Sequence, residues 1–171
     1  MADGPNYQVP HRRRREQRTD YEQRLALLKS GQYRAVVRRS NNHTRVQLVD
    51  YEKDGDETEV SAHSSHLGDF GWDRHTGNLP ASYLTGYLAG LRAVDDGIET
   101  AALDLGLQNT EHGTRLFAAV KGLIDAGVSI NTNPSVFPDE DRMRGEHMAD
   151  YHDDYSVETF EDVKEAMEDE Y

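Results

Sequence analysis

The chain has 171 residues, which is long enough for one packed domain with extensions. Only 36% of the residues are hydrophobic and 30% are charged, so the whole chain is not expected to pack into one globule. Its most apolar stretch, Leu79–Val94, carries Arg92 and is too short to span a membrane, and the N-terminus lacks the apolar centre of a secretory signal. Cysteine is absent, which excludes disulfides, thiolate catalysis and cysteine-bound metals, and we expect a cytoplasmic protein.

The formal net charge of −13 would repel a polyanion, but the charge is unevenly distributed. Residues 1–45 hold 11 Lys and Arg against 4 Asp and Glu, a formal +7, whereas residues 46–171 hold 8 against 28, a formal −20. Such asymmetry is typical of a chain with a polyanion-binding arm. The spread of acids, with 15 Arg but only 4 Lys, favours adaptation to molar salt; an acidic interaction tail at Asp150–Glu170 is the competing interpretation.

The first 18 residues have almost no apolar periodicity and contain the basic run His11–Arg15. They predict an extended arm without a fold of its own. Asp20 is a candidate N-cap and Gly31 a stop signal, so the segment between them is predicted to form a short amphipathic helix.

Three strands follow. The apolar run Ala35–Val37, the alternating segment Thr44–Tyr51 and the segment Glu57–Ala62 are separated by turn residues at Asn41-Asn42 and Lys53–Asp56. This pattern predicts an antiparallel meander whose strands carry basic and amide side chains on one side.

The second half predicts a helix from Pro80 to Asp96, a buried strand at Ala101–Leu105, a helix at Thr114–Ala126 and a last strand at Val128–Ile130. Small residues in the first helix, including Gly86-x-x-x-Gly90, are expected to let it lie close to a sheet. The order of elements predicts an α/β fold, a mixed β-sheet packed with helices, with an extended basic N-terminal arm and a C-terminal extension.

The predicted organisation has three parts: a basic arm that binds a polyanion at 1–19, an α/β domain at 20–132, and a C-terminal extension with an acidic tail at 133–171. Within the extension, Val157–Met167 has the pattern of an acidic amphipathic helix.

The basic arm is the strongest chemical signal, because arginine makes bidentate contacts to phosphate and tyrosine can stack on bases. A solvated tail or a localisation signal would have a similar composition. The candidate RNA-binding residues here are Tyr7, His11, Arg12, Arg13, Arg14, Arg15, Arg18, Tyr21 and Arg24.

A second candidate surface lies at the turn between the first two strands, where hydrogen-bonding side chains follow one another without interruption. These side chains suit sugar, phosphate and exposed base edges, although asparagine in a turn often serves the backbone instead. Thr76, Gly77 and Asn78 precede a helix N-terminus, which favours an anion, but an ordinary helix cap explains them equally well. The candidates at the turn are Arg38, Arg39, Ser40, Asn41, Asn42, His43 and Arg45.

Two catalytic or metal-binding alternatives can be written from the sequence. A metal site could use His63 and His66 with Asp69 or His75, but surface histidines in a loop are commoner, and we expect no metal and no cofactor. A metal-dependent phosphodiester-cleaving enzyme of similar α/β layering would need Asp50, Asp104 and Asp125 to converge. A third alternative is an adaptor that binds only proteins, through its acidic tail.

Five segments together resemble the archaeal form of the large-subunit ribosomal protein family numbered eighteen in the bacterial scheme. In chain order, from Gly4 to Tyr151, they are GPNYQVPHRRRREQRTDYEQRLALLKSG, RRSNNHTRVQLVDY, HTGNLPASYLTGYLAG, LDLGL and FPDEDRMRGEHMADY. With this resemblance, the acidic composition indicates a halophilic archaeon.

The resemblance implies a structural constituent of the large ribosomal subunit, without enzymatic activity, that binds 5S ribosomal RNA and attaches it to 23S ribosomal RNA in the central protuberance. It also implies contacts with neighbouring large-subunit proteins. The arm, the turn and Thr76–Asn78 would contact RNA. Asn42 departs from the family, which often has lysine there, and this puts one phosphate contact in doubt. The residues that would make a second contact, to 23S ribosomal RNA, are Arg142, Arg144, Gly145 and His147.

Overall fold

A computed structural model describes residues 4–149, 151 and 156–171 of the protein. The first three residues of the predicted arm, and residues 150 and 152–155 of the predicted acidic tail, lie outside this set. The helices are α1 (Arg12–Arg15), α2 (Tyr21–Lys29), α3 (Leu79–Asp95), α4 (Arg115–Asp125), α5 (Glu140–Arg144), α6 (Glu146–Ala149) and α7 (Val157–Glu170). The strands are β1 (Tyr33–Arg39), β2 (Thr44–Asp50), β3 (Glu57–His63) and β4 (Ala101–Asp104), and short 3-10 helices cover Ser64–Phe70 and Pro134–Val136.

The strands form one mixed sheet in the order β3-β2-β1-β4. β1 pairs antiparallel with β2, with Val37 opposite Val46, and parallel with β4, with Ala35 opposite Leu103. Since side chains alternate along a strand, the residues buried on one face, such as Val37 and Val46, form the floor of the core. The predicted α/β fold with a mixed sheet is thus confirmed.

Helices α3 and α4 cover the buried face of the sheet and pack tightly on each other. A Cβ on Gly86 would collide with the backbone of Ala119, and one on Gly122 would collide with the backbone of Tyr83. The small residues of α3 were expected to allow a close approach to the sheet. The closest approach is instead to α4, because α4 lies across the glycine face of α3.

Helix α7 confirms the predicted amphipathic segment and extends it by three residues. Its apolar residues Phe160, Val163 and Met167 belong to the same hydrophobic core as the sheet. Tyr87 on α3 donates a hydrogen bond to Glu168 at 2.6 Å. Burial, together with this carboxylate, raises the pKa of the Tyr87 hydroxyl. The acidic helix is therefore seated on α3, with its charged residues outward.

Three local predictions differ from the structure. The helix capped by Asp20 forms as α2, but it is not amphipathic as predicted, because none of its residues is buried. Arg12–Arg15 forms one helical turn rather than extended backbone, because the carbonyl oxygen of His11 accepts hydrogen bonds from the backbone of Arg14 and Arg15, both at 3.0 Å. Val128 and Ile130 are buried as expected, but the segment makes a single parallel bridge, Thr100 to Ser129, and is not a full strand. The chain leaves the sheet edge there and turns at Pro134–Val136. Of the described helices, none has the length and apolar character needed to cross a membrane.

Candidate nucleic-acid interface

The turn between β1 and β2 is closed by Ser40 and His43. The backbone N–H of Ser40 donates to the carbonyl oxygen of His43 at 2.7 Å, and the N–H of His43 donates to Ser40 Oγ at 3.0 Å. Asn41 and Asn42 are exposed, and their side-chain amides make no hydrogen bond to any described residue. Ser40, not asparagine, therefore serves the backbone of this turn, and both amides are available to a partner.

The predicted segment Thr76–Asn78 lies against this turn. Thr76 Oγ1 donates to the carbonyl oxygen of Asn42 at 2.8 Å and lies 3.0 Å from His43 Nδ1. Gly77 is buried, and a Cβ there would collide with the carbonyl oxygen of Asn41 and come within 2.7 Å of the His75 ring. The structure thus brings together two segments that the sequence singled out independently.

Asn78 itself caps α3: its Oδ1 accepts the N–H of Ala81 at 2.8 Å, and its Nδ2 is buried. This arrangement favours the ordinary helix cap over an anion site at this position. With Thr76 half-buried and Gly77 buried, the segment is built to support the turn.

Arg115, at the start of α4, joins the two segments and was missed by the sequence analysis. Its guanidinium donates to the carbonyl oxygens of Gly77, of Ser40 at 3.2 Å and of Asn41 at 3.4 Å. Burial, with the positive charge of nearby Arg39, lowers the pKa of Arg115. A cation at a helix N-terminus opposes the helix dipole, and this was the only sequence signal that could have drawn attention to it.

A row of basic side chains, called the cationic row after Arg38 and Arg45, crosses the face of the sheet opposite α3 and α4, beside the turn. Arg38 lies opposite Arg45, and Arg45 lies opposite His63, so the three share one face. Like charges directly opposite each other destabilise a sheet, and whereas Arg38 is paired with Asp104, Arg45 makes no ion pair with a described residue. Together with Arg39, Ser40, His43 and Gln47, these residues line a cavity of about 190 Å³.

His63 belongs to the alternative metal site of the sequence analysis, but its ring contacts other side chains instead of a group of metal ligands. Its Nδ1 accepts the N–H of Ser65 at 3.2 Å, and its ring lies 4.6 Å from that of His43. Burial, and then the charges of His43 and Arg45, lower the pKa of His63. No group of three potential metal ligands occurs among the residues that the structure describes.

The carboxylates required for the nuclease alternative have separate partners. Asp104 lies 2.9 Å from Arg38, while Asp125 accepts from the hydroxyl of Tyr83 at 3.0 Å and pairs with Lys121. Asp50 accepts the N–H of the next residue at 2.7 Å. Within the described parts of the chain, these three carboxylates form no metal-binding group.

The arm combines free and paired cations. Arg14 and Arg15 are exposed and make no ion pair with a described residue, whereas Arg13 Nε donates to Thr19 Oγ1 at 2.9 Å and Arg18 lies 3.4 Å from Glu16. The other predicted residues of this part differ in exposure. Tyr7 is half exposed, Arg12 lies 3.9 Å from Glu16, His11 and Tyr21 have ring centroids 5.4 Å apart, and Arg24 pairs with Asp56.

The residues predicted to make a second RNA contact lie elsewhere. Arg142 and Arg144 are exposed on α5, Gly145 ends that helix with a positive φ of 82°, and His147 is half-buried on α6. α5 packs on α3 through buried Met143, and Arg144 lies 3.6 Å from Glu161 of α7. This group belongs to the helical layer, apart from the cationic row on the open face of the sheet.

Comparison with known proteins gives a consistent family. A family model described as ribosomal large subunit proteins 60S L5 and 50S L18 matches residues 5–97. The large ribosomal subunit protein uL18 of Haloquadratum walsbyi is 58% identical over 151 residues, which cover 88% of this chain and 74% of that protein. The corresponding protein of Halobacterium salinarum is 59% identical, covering 88% and 82%. That of Natronomonas pharaonis is 49% identical over 183 residues, covering 99% and 100%.

Proposed function

The chain belongs to the family of large ribosomal subunit proteins uL18, and we propose that it binds 5S ribosomal RNA and attaches it to 23S ribosomal RNA in the central protuberance. Membership makes it a structural constituent of the large subunit in the cytoplasmic ribosome and not an enzyme. The resemblance seen in the sequence motifs is confirmed, including its halophilic archaeal character. The two RNA partners and the contact residues are the proposal.

The proposal rests on the turn between β1 and β2, which other side chains hold in place beside the cationic row. Asn41 and Asn42 present free amides, while Arg115 and Thr76 hold the backbone that carries them. Sequence-specific RNA recognition favours unpaired bases whose edges can be hydrogen-bonded, and a pre-ordered turn loses little entropy on binding. Arg45 and Arg39 beside it supply phosphate contacts. We assign 5S ribosomal RNA to this surface.

The separation of the two arginine groups supports a bridging role. The turn lies at one end of the open sheet face, while Arg142 and Arg144 lie on the helical layer. One RNA surface can therefore be held on each side of the core. We assign 23S ribosomal RNA to the α5 group.

The N-terminal arm adds positive charge and can extend to phosphates beyond the folded domain. None of Arg12–Arg15 is buried, so these side chains are available to phosphates, and the local order of the arm is completed on RNA. Thr76, Gly77 and Asn78 act mainly by supporting the turn. The outward carboxylates of α7 repel RNA, and we assign this helix to contacts with neighbouring ribosomal proteins.

Binding of 5S ribosomal RNA and of a 23S ribosomal RNA fragment by two charge-reversed variants tests the proposal. Arg45→Glu is expected to weaken 5S binding in molar KCl, and Arg144→Glu is expected to weaken only 23S binding. Each variant is the control for the other, since both replace one exposed arginine. Equal losses for both RNAs in both variants would contradict the two-surface assignment, and no 5S binding by the wild-type protein would refute the function.

A further inference from the structure

A second cavity, of about 330 Å³, lies between α2 and the open face of the sheet. Pockets of this size accept small organic ligands, whereas a single phosphate needs far less space. Its walls combine three kinds of residue. Arg34 and Arg38 are cationic, Asp56 and Asp104 are acidic, and Leu27 and Val36 are apolar.

Helix α2 covers this cavity but does not pack closely on the sheet. It has no buried residue, and its Leu27 lines the cavity instead of entering the core. An ion pair fixes the helix to the sheet, because Arg24 Nη2 lies 2.8 Å from Asp56 Oδ2. Short helices are normally stabilised by burying an apolar face. Leu27 therefore remains available as an apolar wall for a ligand between helix and sheet.

The floor of the cavity carries excess positive charge. Arg34 is only 3% exposed, and its two carboxylate partners are shared: Asp56, at 2.6 Å, also pairs with Arg24. Asp104 lies 3.4 Å from Arg34 and also pairs with Arg38. Three guanidinium groups thus share two carboxylates, and Arg34 Nε has no hydrogen-bond partner among the described residues. A buried cation whose N–H groups are incompletely paired favours an anion or another hydrogen-bond acceptor nearby.

We propose that this cavity receives one unpaired nucleotide of the bound RNA, an inference that rests on the proposed function. The base enters between Leu27 and Val36 with its acceptor atoms toward Arg34 Nε, and its phosphate is held at the rim by Arg13 and Arg18. Thr19, Gln23 and Thr58, which also line the cavity, offer hydrogen bonds to the base edge. A nucleotide satisfies both the apolar walls and the positive charge, whereas free phosphate satisfies only the charge.

The test fills the cavity from one residue of α2 and uses a matched neighbour as control. Leu27→Trp places a large side chain in the cavity, and Leu25→Trp places the same side chain at a position on the same helix that is 53% exposed and outside the cavity lining. 5S ribosomal RNA is footprinted in molar KCl with reagents that modify the Watson–Crick edges of unpaired bases. Circular dichroism verifies the fold of each variant.

We expect Leu27→Trp to lose protection of one unpaired base and roughly 10-fold in affinity, while Leu25→Trp retains both. An unchanged footprint with Leu27→Trp, or a general loss of protection in a folded variant, overturns the nucleotide pocket. A wild-type protein without a footprint overturns the proposed function itself. Thr58→Trp, which fills the cavity from the exposed side of β3, repeats the test if Leu27→Trp does not fold.

Discussion

Arg115 Nη2 donates a hydrogen bond to the carbonyl oxygen of Ser40 at 3.2 Å, and this contact joins two residues 75 positions apart in the chain. The same guanidinium also reaches the carbonyl oxygens of Asn41 and Gly77. One side chain thereby fixes the relative position of the turn proposed to contact RNA and the N-terminus of α3. Arg115 acts as a positioning residue for the turn.

Replacing Arg115 tests this role. Arg115→Ala leaves three backbone carbonyls without their charged donor, and we expect a loss of about 1–3 kcal/mol in unfolding free energy. Amide hydrogen exchange should accelerate in the turn, and 5S affinity should fall. Arg115→Lys is the control, because lysine keeps the positive charge but cannot donate to several separate carbonyl oxygens at once. If Arg115→Lys restored both exchange protection and affinity, charge rather than geometry would be the contribution of this residue.

Gly77→Ala tests the close approach between the turn and the segment before α3. The added methyl group would collide with the carbonyl oxygen of Asn41, so we expect a destabilisation of about 1–3 kcal/mol, measured by denaturant unfolding, and weaker 5S binding. Gly68→Ala is the matched control, since a Cβ there meets nothing within 4 Å. Equal stability of the two variants would show that the turn can move away from Gly77 at no cost.

Much of the fold follows from local patterns, and the site follows only in part. The strands around Val37 and Val46 were predicted from a local apolar run and from local alternation. Helix α3 was predicted from Pro80 at its start, and α4 from its apolar spacing. The contacts of Arg115 and the sharing of Asp56 and Asp104 by three arginines were not found. These pairings join elements far apart in the chain, and no local pattern encodes them.

The shared carboxylate of Asp56 predicts a dependence of stability on pH. Burial acts to raise the pKa of Asp56, but the hydrogen bonds and charges of Arg24 and Arg34 outweigh burial and lower it. Since the pKa is lower in the folded state, the stabilisation is present above the unfolded-state pKa of about 3.9 and is lost as pH falls below it.

Asp56→Asn should therefore be less stable than wild type at pH 7, and the difference should shrink between about pH 4 and pH 2. Denaturant unfolding at constant molar KCl measures this. Asp54→Asn, in the same exposed turn and with no ion pair to a described residue, is the control. A constant difference across that pH range would show that the Asp56 carboxylate makes no net ionic contribution.

The arm predicts a separation of binding from folding. Replacing Arg12–Arg15 with alanine should weaken RNA binding, because exposed guanidinium groups that are proposed to contact phosphate are lost. The melting temperature should not change, since none of these side chains is buried. Circular dichroism melts in high salt and a filter-binding titration measure the two effects. Unchanged affinity would remove the arm from the RNA interface.

The last prediction joins the acidic composition to RNA binding. Residues 46–171 carry a formal −20, and the outward side of α7 is rich in carboxylates that repel one another at low ionic strength. The screening length falls from ~30 Å at about 0.01 M salt to ~3 Å at about 1 M, so this repulsion should nearly vanish in molar KCl. We expect the free protein to unfold in dilute buffer and to refold in molar KCl.

The same salt weakens phosphate contacts roughly in proportion to their number, so a protein that works in molar salt must hold RNA by more than charge. The candidate interactions that do not depend on charge alone are hydrogen bonds from the free amides of Asn41 and Asn42, bidentate arginine contacts, and stacking by Tyr7 and Tyr21. We therefore expect 5S binding to persist in molar KCl. One salt series followed by circular dichroism and by gel shift measures both effects. A protein that is fully folded in dilute buffer would contradict the adaptation to high salt. Release of RNA well below molar KCl would show that the protein binds RNA mainly through ionic contacts.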